Sequence, residues 1–233
     1  MSHERGPATS ARTTDQWAQV IRTQLVQTDQ RSHVTKQPSA SALHPPLSYG
    51  RHRGPARSSS HEAAVAIVLD PWHGSWRIPL LLRPSRMRHH PGQIALPGGR
   101  LQSGESFEQA GERELREELG LDQAVLEFLG PLSDRYVYAS DHLVRPLVFI
   151  SHQPLHYSPH CDEVAALLFF QQAQWLSDSC RQSRLLEDRP WTGAIPGINL
   201  EGFFIWGATA MILEDWVAAY TQSEALLDRL PVE

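Results

Sequence analysis

The stretch Gly99 to Leu121, GRLQSGESFEQAGERELREELGL, constrains this chain more than any other. It places a loop with two glycines before a helix that ends in three acids, Glu114, Glu117 and Glu118. At about 100° per residue, with Phe107 at zero, Ala110 falls at about 300°, Gly111 at about 40°, Glu114 at about 340° and Leu115 at about 80°. On the same wheel Glu118 falls at about 20° and Glu117 at about 280°. The carboxylates therefore share a face with apolar and small residues, while Gln109, Glu112, Arg113 and Arg116 take the other side. A solvated acidic face has the opposite arrangement. Acids turned toward a core must be paired or must hold a cation, because an unpaired buried charge is costly.

The helix is well punctuated. Ser106 and Gln109 form a capping box, Glu108 suits the positive end of the helix dipole, and Gly120 is placed to end the helix in a left-handed conformation. Upstream, Ala63 to Leu69 (AAVAIVL) and Ile78 to Leu82 predict two strands joined by a turn over 71–77. A basic loop, Arg83 to Gly92, leads to Gln93–Leu96 and a turn at Pro97-Gly98-Gly99. Downstream, Val125–Leu129, Tyr136–Ala139 and Leu143–Ile150 read as strands, and Glu163–Phe170 as an apolar segment of either type. A short helix opens at Gln172, a polar loop covers 177–197, Phe203–Trp206 is a last strand, and Gly207–Tyr220 a long amphipathic helix. The order of strands, helix, strands, helix predicts a mixed sheet between helices.

Residues 1–60 read as an extension: a polar start, a short amphipathic helix from Thr14 or Asp15 carrying Trp17, Val20, Ile21 and Leu25, and a Pro-, Ser- and Arg-rich linker over 28–60. Residues 61–220 form the expected domain and 221–233 a tail. The formal charge of −5 disfavours nucleic acid as a partner. Lys36 is the only lysine, which reads mainly as compositional bias, although arginine also suits phosphate. Cys161 and Cys180 match neither a zinc pattern nor a disulfide framework. The first residues lack an apolar targeting segment and no run is long enough to span a bilayer, so a cytoplasmic location without a membrane partner is expected.

As a pattern, the opening stretch is G-x5-E-x7-R-E-U-x-E-E-x-G-U, with U apolar. It resembles the Nudix hydrolase box at every fixed position: Gly99, Glu105, Arg113, Glu114, Leu115, Glu117, Glu118, Gly120 and Leu121. The resemblance implies an α/β/α sandwich with a mixed β-sheet and the box as loop-helix-loop. Leu80 to Gly99 is similar to the signature of the coenzyme A pyrophosphatase branch, through Leu80, Arg83, Arg88, Gly92, Pro97, Gly98 and Gly99. Phe204 to Ala210 and the N-terminal helix are similar to that branch too. Leu96, Leu81 and Pro84 depart from it, standing where the branch has Phe, Thr and Ser.

The acids have a common chemistry. Like charges one turn apart destabilise a helix by ~0.2–0.5 kcal/mol per pair, and a divalent cation reverses that sign. Glu114, Glu117 and Glu118 are thus the candidate ligands of Mg²⁺ or Mn²⁺, and the resemblance adds the Gly98 carbonyl. Glu118 and Glu163, with Glu117 beside them, are the candidate catalytic carboxylates, Glu163 because the family often brings a glutamate from a later loop. A surface acid is the alternative for Glu163. Arg83, Arg88, Gly98 and Gly99 are the candidate substrate contacts, and Arg86, His89 and His90 are either further contacts or solvated charge. The resemblance implies that Glu105 and Arg113 pair to hold the loop. Gly111 admits either a substrate or simple close packing. Trp206, with Phe203 and Phe204, reads as core sooner than as an adenine platform. The implied reaction is metal-dependent cleavage of the diphosphate of coenzyme A or a derivative. The rivals are another nucleoside diphosphate derivative (ADP-ribose, NADH or an oxidised nucleotide) and a non-catalytic nucleotide-binding regulator. The small-molecule substrate is the expected partner, with a homodimer left open.

Overall fold

The computed structural model describes residues 12–34, 56–87, 90–185 and 194–229. The polar start, residues 1–12, therefore lies almost wholly outside the described residues, as do most of the linker and both Arg88 and His89. The run AAVAIVL forms the centre of β1 (His61–Trp72). Its side chains alternate between two cores, as a strand covered on both faces requires. Ala63, Ile67 and Leu69 face one core, and Ala64, Ala66 and Val68 the other. β1 pairs antiparallel with β2 (Ser75–Leu82) and parallel with β7 (His142–Ile150). A parallel neighbour needs a crossover, and here the crossover contains α2 (Phe107–Leu119).

The remaining strands of this eight-stranded mixed sheet are β3 (Ile94–Ala95), β4 (Gly98–Arg100), β5 (Glu127–Pro131), β6 (Arg135–Val137) and β8 (Ala166–Gln171). α2 covers one face. On the other lie α1 (Thr14–Val34) and α4 (Gly207–Leu227), packed together with Trp17 stacked on Tyr220 at 4.9 Å. The architecture is the expected α/β/α sandwich.

Several boundaries differ from expectation. The β1–β2 turn is not seven residues long but two, His73 and Gly74, both with positive φ. Left-handed conformations at both positions match the twist of the flanking strands, and the strands continue because Asp70 and Arg77 are paired across them. Arg77 Nε lies 2.7 Å from the fully buried Asp70 carboxylate, and its guanidinium is sandwiched between Trp72 and Phe169. Gly98 and Gly99 are not in a turn but in β4, opposite Val65 and Ala64. α1 runs past Leu25 to Val34, because nothing before Pro38 breaks it. The stretch 177–197 contains β9 (Arg181–Leu185) and the start of β10 (Ala194–Leu200), which with β11 (Phe203–Trp206) make a three-stranded sheet. β9 is largely exposed and polar, so it carries no apolar period to read. α3 (Gln172–Trp175) is the expected short helix. α4 continues through the expected tail to Leu227, since Ser223 and Leu227 are buried on the face already set by Trp216 and Tyr220.

Candidate active site

The box helix is built as its sequence specifies. Ser106 accepts from the Gln109 amide at 3.2 Å, Gln109 returns the bond to the Ser106 amide at 2.9 Å, and Gly120 closes the helix at φ 66°. Ala110, Gly111, Leu115, Glu118 and Leu119 face the sheet. At Gly111 close packing is the role seen: an added Cβ would come within 2.6 Å of Leu147 Cδ1.

The three acids are graded by depth. Glu118 is 3% exposed, the Glu114 side chain is 13% exposed, and the Glu117 side chain is about half exposed at 51%. Glu118 Oε2 accepts a hydrogen bond from the Gly98 amide at 2.9 Å, so β4 and α2 meet at this carboxylate. Burial pushes its pKa up to about 8, helped by the charges of Glu114 and Glu163 and opposed by Gly98 N–H and Arg83. Glu114 is also raised, by burial first, with Arg113 opposing and Glu117 and Glu163 adding to the rise. The charge of Glu163 adds to the rise at both carboxylates. Glu163 is an exposed residue on the loop before β8.

Arg113 holds the periphery together. It grips Glu105 in a bidentate pair at 2.9 and 3.1 Å, reaches Glu114 at 2.7 Å and Glu117 at 3.1 Å, and donates to the Arg100 carbonyl at 3.0 Å. Glu105 in turn accepts from the Gln102 amide at 2.8 Å, and the Arg113 contact holds its pKa below the usual range. This pair closes the glycine loop. Arg113 meets Glu117 as its i,i+4 neighbour on the same flank of the helix, and it reaches Glu114 because a long guanidinium spans the helix shoulder.

At the edge of β2, Arg83 carries its charge toward Glu118, and its Nε is buried without a hydrogen-bond partner. A buried donor with no acceptor is a place for an anionic ligand oxygen. Its main chain closes the basic loop through Arg83 N to Gln93 O at 3.0 Å and Gly92 N to Arg83 O at 3.1 Å. His90 bonds Gln93 at 2.9 Å, and Arg86 turns to Asp162 at 2.9 Å. Neither that Arg86 contact nor the Asp70–Arg77 pair is legible in the sequence. The expected core role of Phe203, Phe204 and Trp206 is not seen: Phe203 is exposed and Phe204 and Trp206 are half-buried, while Ile205 between them is the buried residue of the strand. A polar cleft of about 530 Å³ lies on the outer side of α2, between Gln109, Glu112, Arg113 and Arg116, and takes in neither Glu114 nor Arg83.

Among the described residues no three His, Cys, Asp or Glu side chains form a ready metal cluster; Arg113 is drawn to Glu114 and Glu117 instead. The donor chemistry still fits a hard dication. Glu118 is too buried to ionise readily alone, and Glu114 lies flat on the Gly99 backbone, where a Cβ would come within 2.1 Å of its Oε1.

The NUDIX domain family matches residues 60–177, a span holding β1, the box and the Glu163 loop. The chain belongs to the Nudix hydrolase family. Its members are enzymes that act on nucleoside diphosphate derivatives and generally need divalent metal ions. "Nudix hydrolase 15, mitochondrial" of Arabidopsis thaliana is 29% identical over 77% of this chain and 66% of its own length. The chain thus spans just under two thirds of that relative. "Uncharacterized Nudix hydrolase NudL" of an Enterobacter species is 34% identical over 58% of this chain and 71% of its own. The mouse "Peroxisomal coenzyme A diphosphatase NUDT7" is 30% identical over 48% of this chain and 47% of its own. No helix among the described residues is long and apolar enough to cross a membrane.

Proposed function

We propose that this hydrolase cleaves the diphosphate of coenzyme A or an acylated derivative, yielding 4′-phosphopantetheine or its acylated form and adenosine 3′,5′-bisphosphate. The observation that carries the reading is Glu118 and Glu114 gathered at Gly98–Gly99, with the charge of Arg83 felt at Glu118 and its buried Nε lacking an acceptor. The coenzyme A assignment draws on the signature from Leu80 to Gly99 and on relatives named coenzyme A diphosphatases.

Glu114, Glu118, Glu117 and the Gly98 carbonyl would hold Mg²⁺ or Mn²⁺. When bound, the cation polarises the phosphoryl oxygens and neutralises the departing phosphate. Arg83 and Arg88 take non-bridging phosphate oxygens, with the Gly98–Gly99 backbone flanking the same group. Glu118 or Glu163 accepts a proton as water attacks phosphorus. The new P–O bond forms to water oxygen, the anhydride P–O bond breaks, and the second phosphate leaves with its electron pair. Arg113 keeps Glu105 and the glycine loop in register behind the site. We further propose that the protein works in the cytoplasm on a small-molecule substrate, without nucleic acid or membrane as a partner.

Chromatography of coenzyme A digests with Mg²⁺ or Mn²⁺ tests this, and adenosine 3′,5′-bisphosphate is the expected product. Faster turnover of dephospho-coenzyme A, ADP-ribose or NADH would reassign the substrate. Tight binding by calorimetry with no turnover would make the protein a regulator.

A further inference from the structure

Two loops frame the acids, and one side chain joins them. The basic loop leaves β2 at Arg83 and returns at Gln93, closed at its root by the main-chain bonds described above. The second loop precedes β8. Its root is tied to α2: Ser158 N donates to Leu119 O at 2.8 Å and His160 N to Glu118 O at 3.0 Å, which satisfies carbonyls at the helix end. Its far end is tied to β2 by Ala165 N to Leu82 O at 2.8 Å. Between these anchors the amides of Glu163 and Val164 both return to His160 O, at 3.0 and 2.9 Å, leaving Cys161 and Asp162 at the apex. Arg86 binds that apex. Its Nη2 lies 2.9 Å from Asp162 Oδ1, 3.2 Å from Cys161 O and 3.4 Å from Asp162 O.

We propose that Arg86 is a positioning residue, which locks the apex of the Glu163 loop to the basic loop so that a diphosphate seated on the one meets the Glu163 carboxylate held by the other. The inference rests on Glu163 working in the reaction proposed above. Arg86 is already committed to three oxygens, so its charge goes first to the loop and not to phosphate. It also neutralises Asp162, whose negative charge at the rim would otherwise repel an anionic substrate. Both side chains are well exposed, so the contact does little for global stability and acts on the population of the closed loop. All three acceptors meet one nitrogen, which a lysine ammonium with three donors can replace.

Hydrogen exchange and steady-state kinetics on the full chain test the proposal together. In Arg86→Ala the amides of Glu163 and Val164 should exchange about 3- to 5-fold faster, with Arg86→Lys close to wild type. Arg86→Ala and Asp162→Asn should each lower kcat about 3- to 5-fold with KM within about 2-fold. Neither should add to the loss in a Glu163→Gln background. Unchanged exchange in Arg86→Ala overturns the proposal whether or not a substrate has been found, and an inert wild type counts against the functional reading alone. A rise in KM for Arg86→Ala with no effect of Asp162→Asn also overturns it, since Arg86 would then be a direct substrate contact.

Discussion

Replacing Glu118 by Gln should make the metal-free protein more stable, although the residue lies at the centre of the proposed site. The Gln amide oxygen can keep the bond from Gly98 N–H, and its volume matches, so the change removes little except ionisation. In the folded chain burial holds the Glu118 pKa at about 8, against an ordinary value of 4.5. Between those values the folded state keeps a proton that the unfolded state releases, so stability falls as pH rises. The cost is close to zero below about pH 4.5, about 1 kcal/mol at about pH 5.5 and about 3 kcal/mol at about pH 7. Spread over a chain of this size, ~3 kcal/mol raises Tm by roughly 6–12 °C. Thermal unfolding in chelator at both pH values measures it: Glu118→Gln should gain most at the higher pH and less at the lower. Adding Mg²⁺ should then raise the wild-type Tm and leave the variant's nearly unchanged, because a dication supplies the charge that burial withholds. A variant less stable than wild type, or a gap independent of pH, would refute the reasoning.

Two glycines on the same motif should respond in opposite ways. Gly99→Ala drives a Cβ to within 2.1 Å of Glu114 Oε1 and displaces that carboxylate; kcat should fall about 10-fold or more and the Mg²⁺ concentration for half-maximal rate should rise, as metal titration of activity would reveal. Gly111→Ala meets Leu147 Cδ1 at 2.6 Å; overpacking should cost about 1–3 kcal/mol in urea unfolding while KM stays near wild type.

The box helix was legible in detail because its determinants are local. Ser106, Gln109 and Gly120 act within a few residues of themselves, and the helical period carries Glu118 to the inner face whatever else the chain does. Contacts between distant segments have no such signature. Arg86 and Asp162 stand 76 positions apart, and each reads alone as surface charge. Arg77 likewise gives no hint of lying between Trp72 and Phe169 against buried Asp70. β9 was missed because an exposed polar strand has no apolar alternation, and its pairing with β10 is what makes it a strand.

By itself, then, the order of residues determined the capped helix, its inward acids and the apolar strand on which both cores rest, since each depends on short-range periodicity. Only the tertiary structure decided how deeply each acid lies. Glu118 is enclosed by β4 and faces Arg83, while Glu117, one residue earlier, stays half in solvent with Arg113. Desolvation depends on what the rest of the chain brings alongside, and it is desolvation that turns three similar glutamates into three different ones.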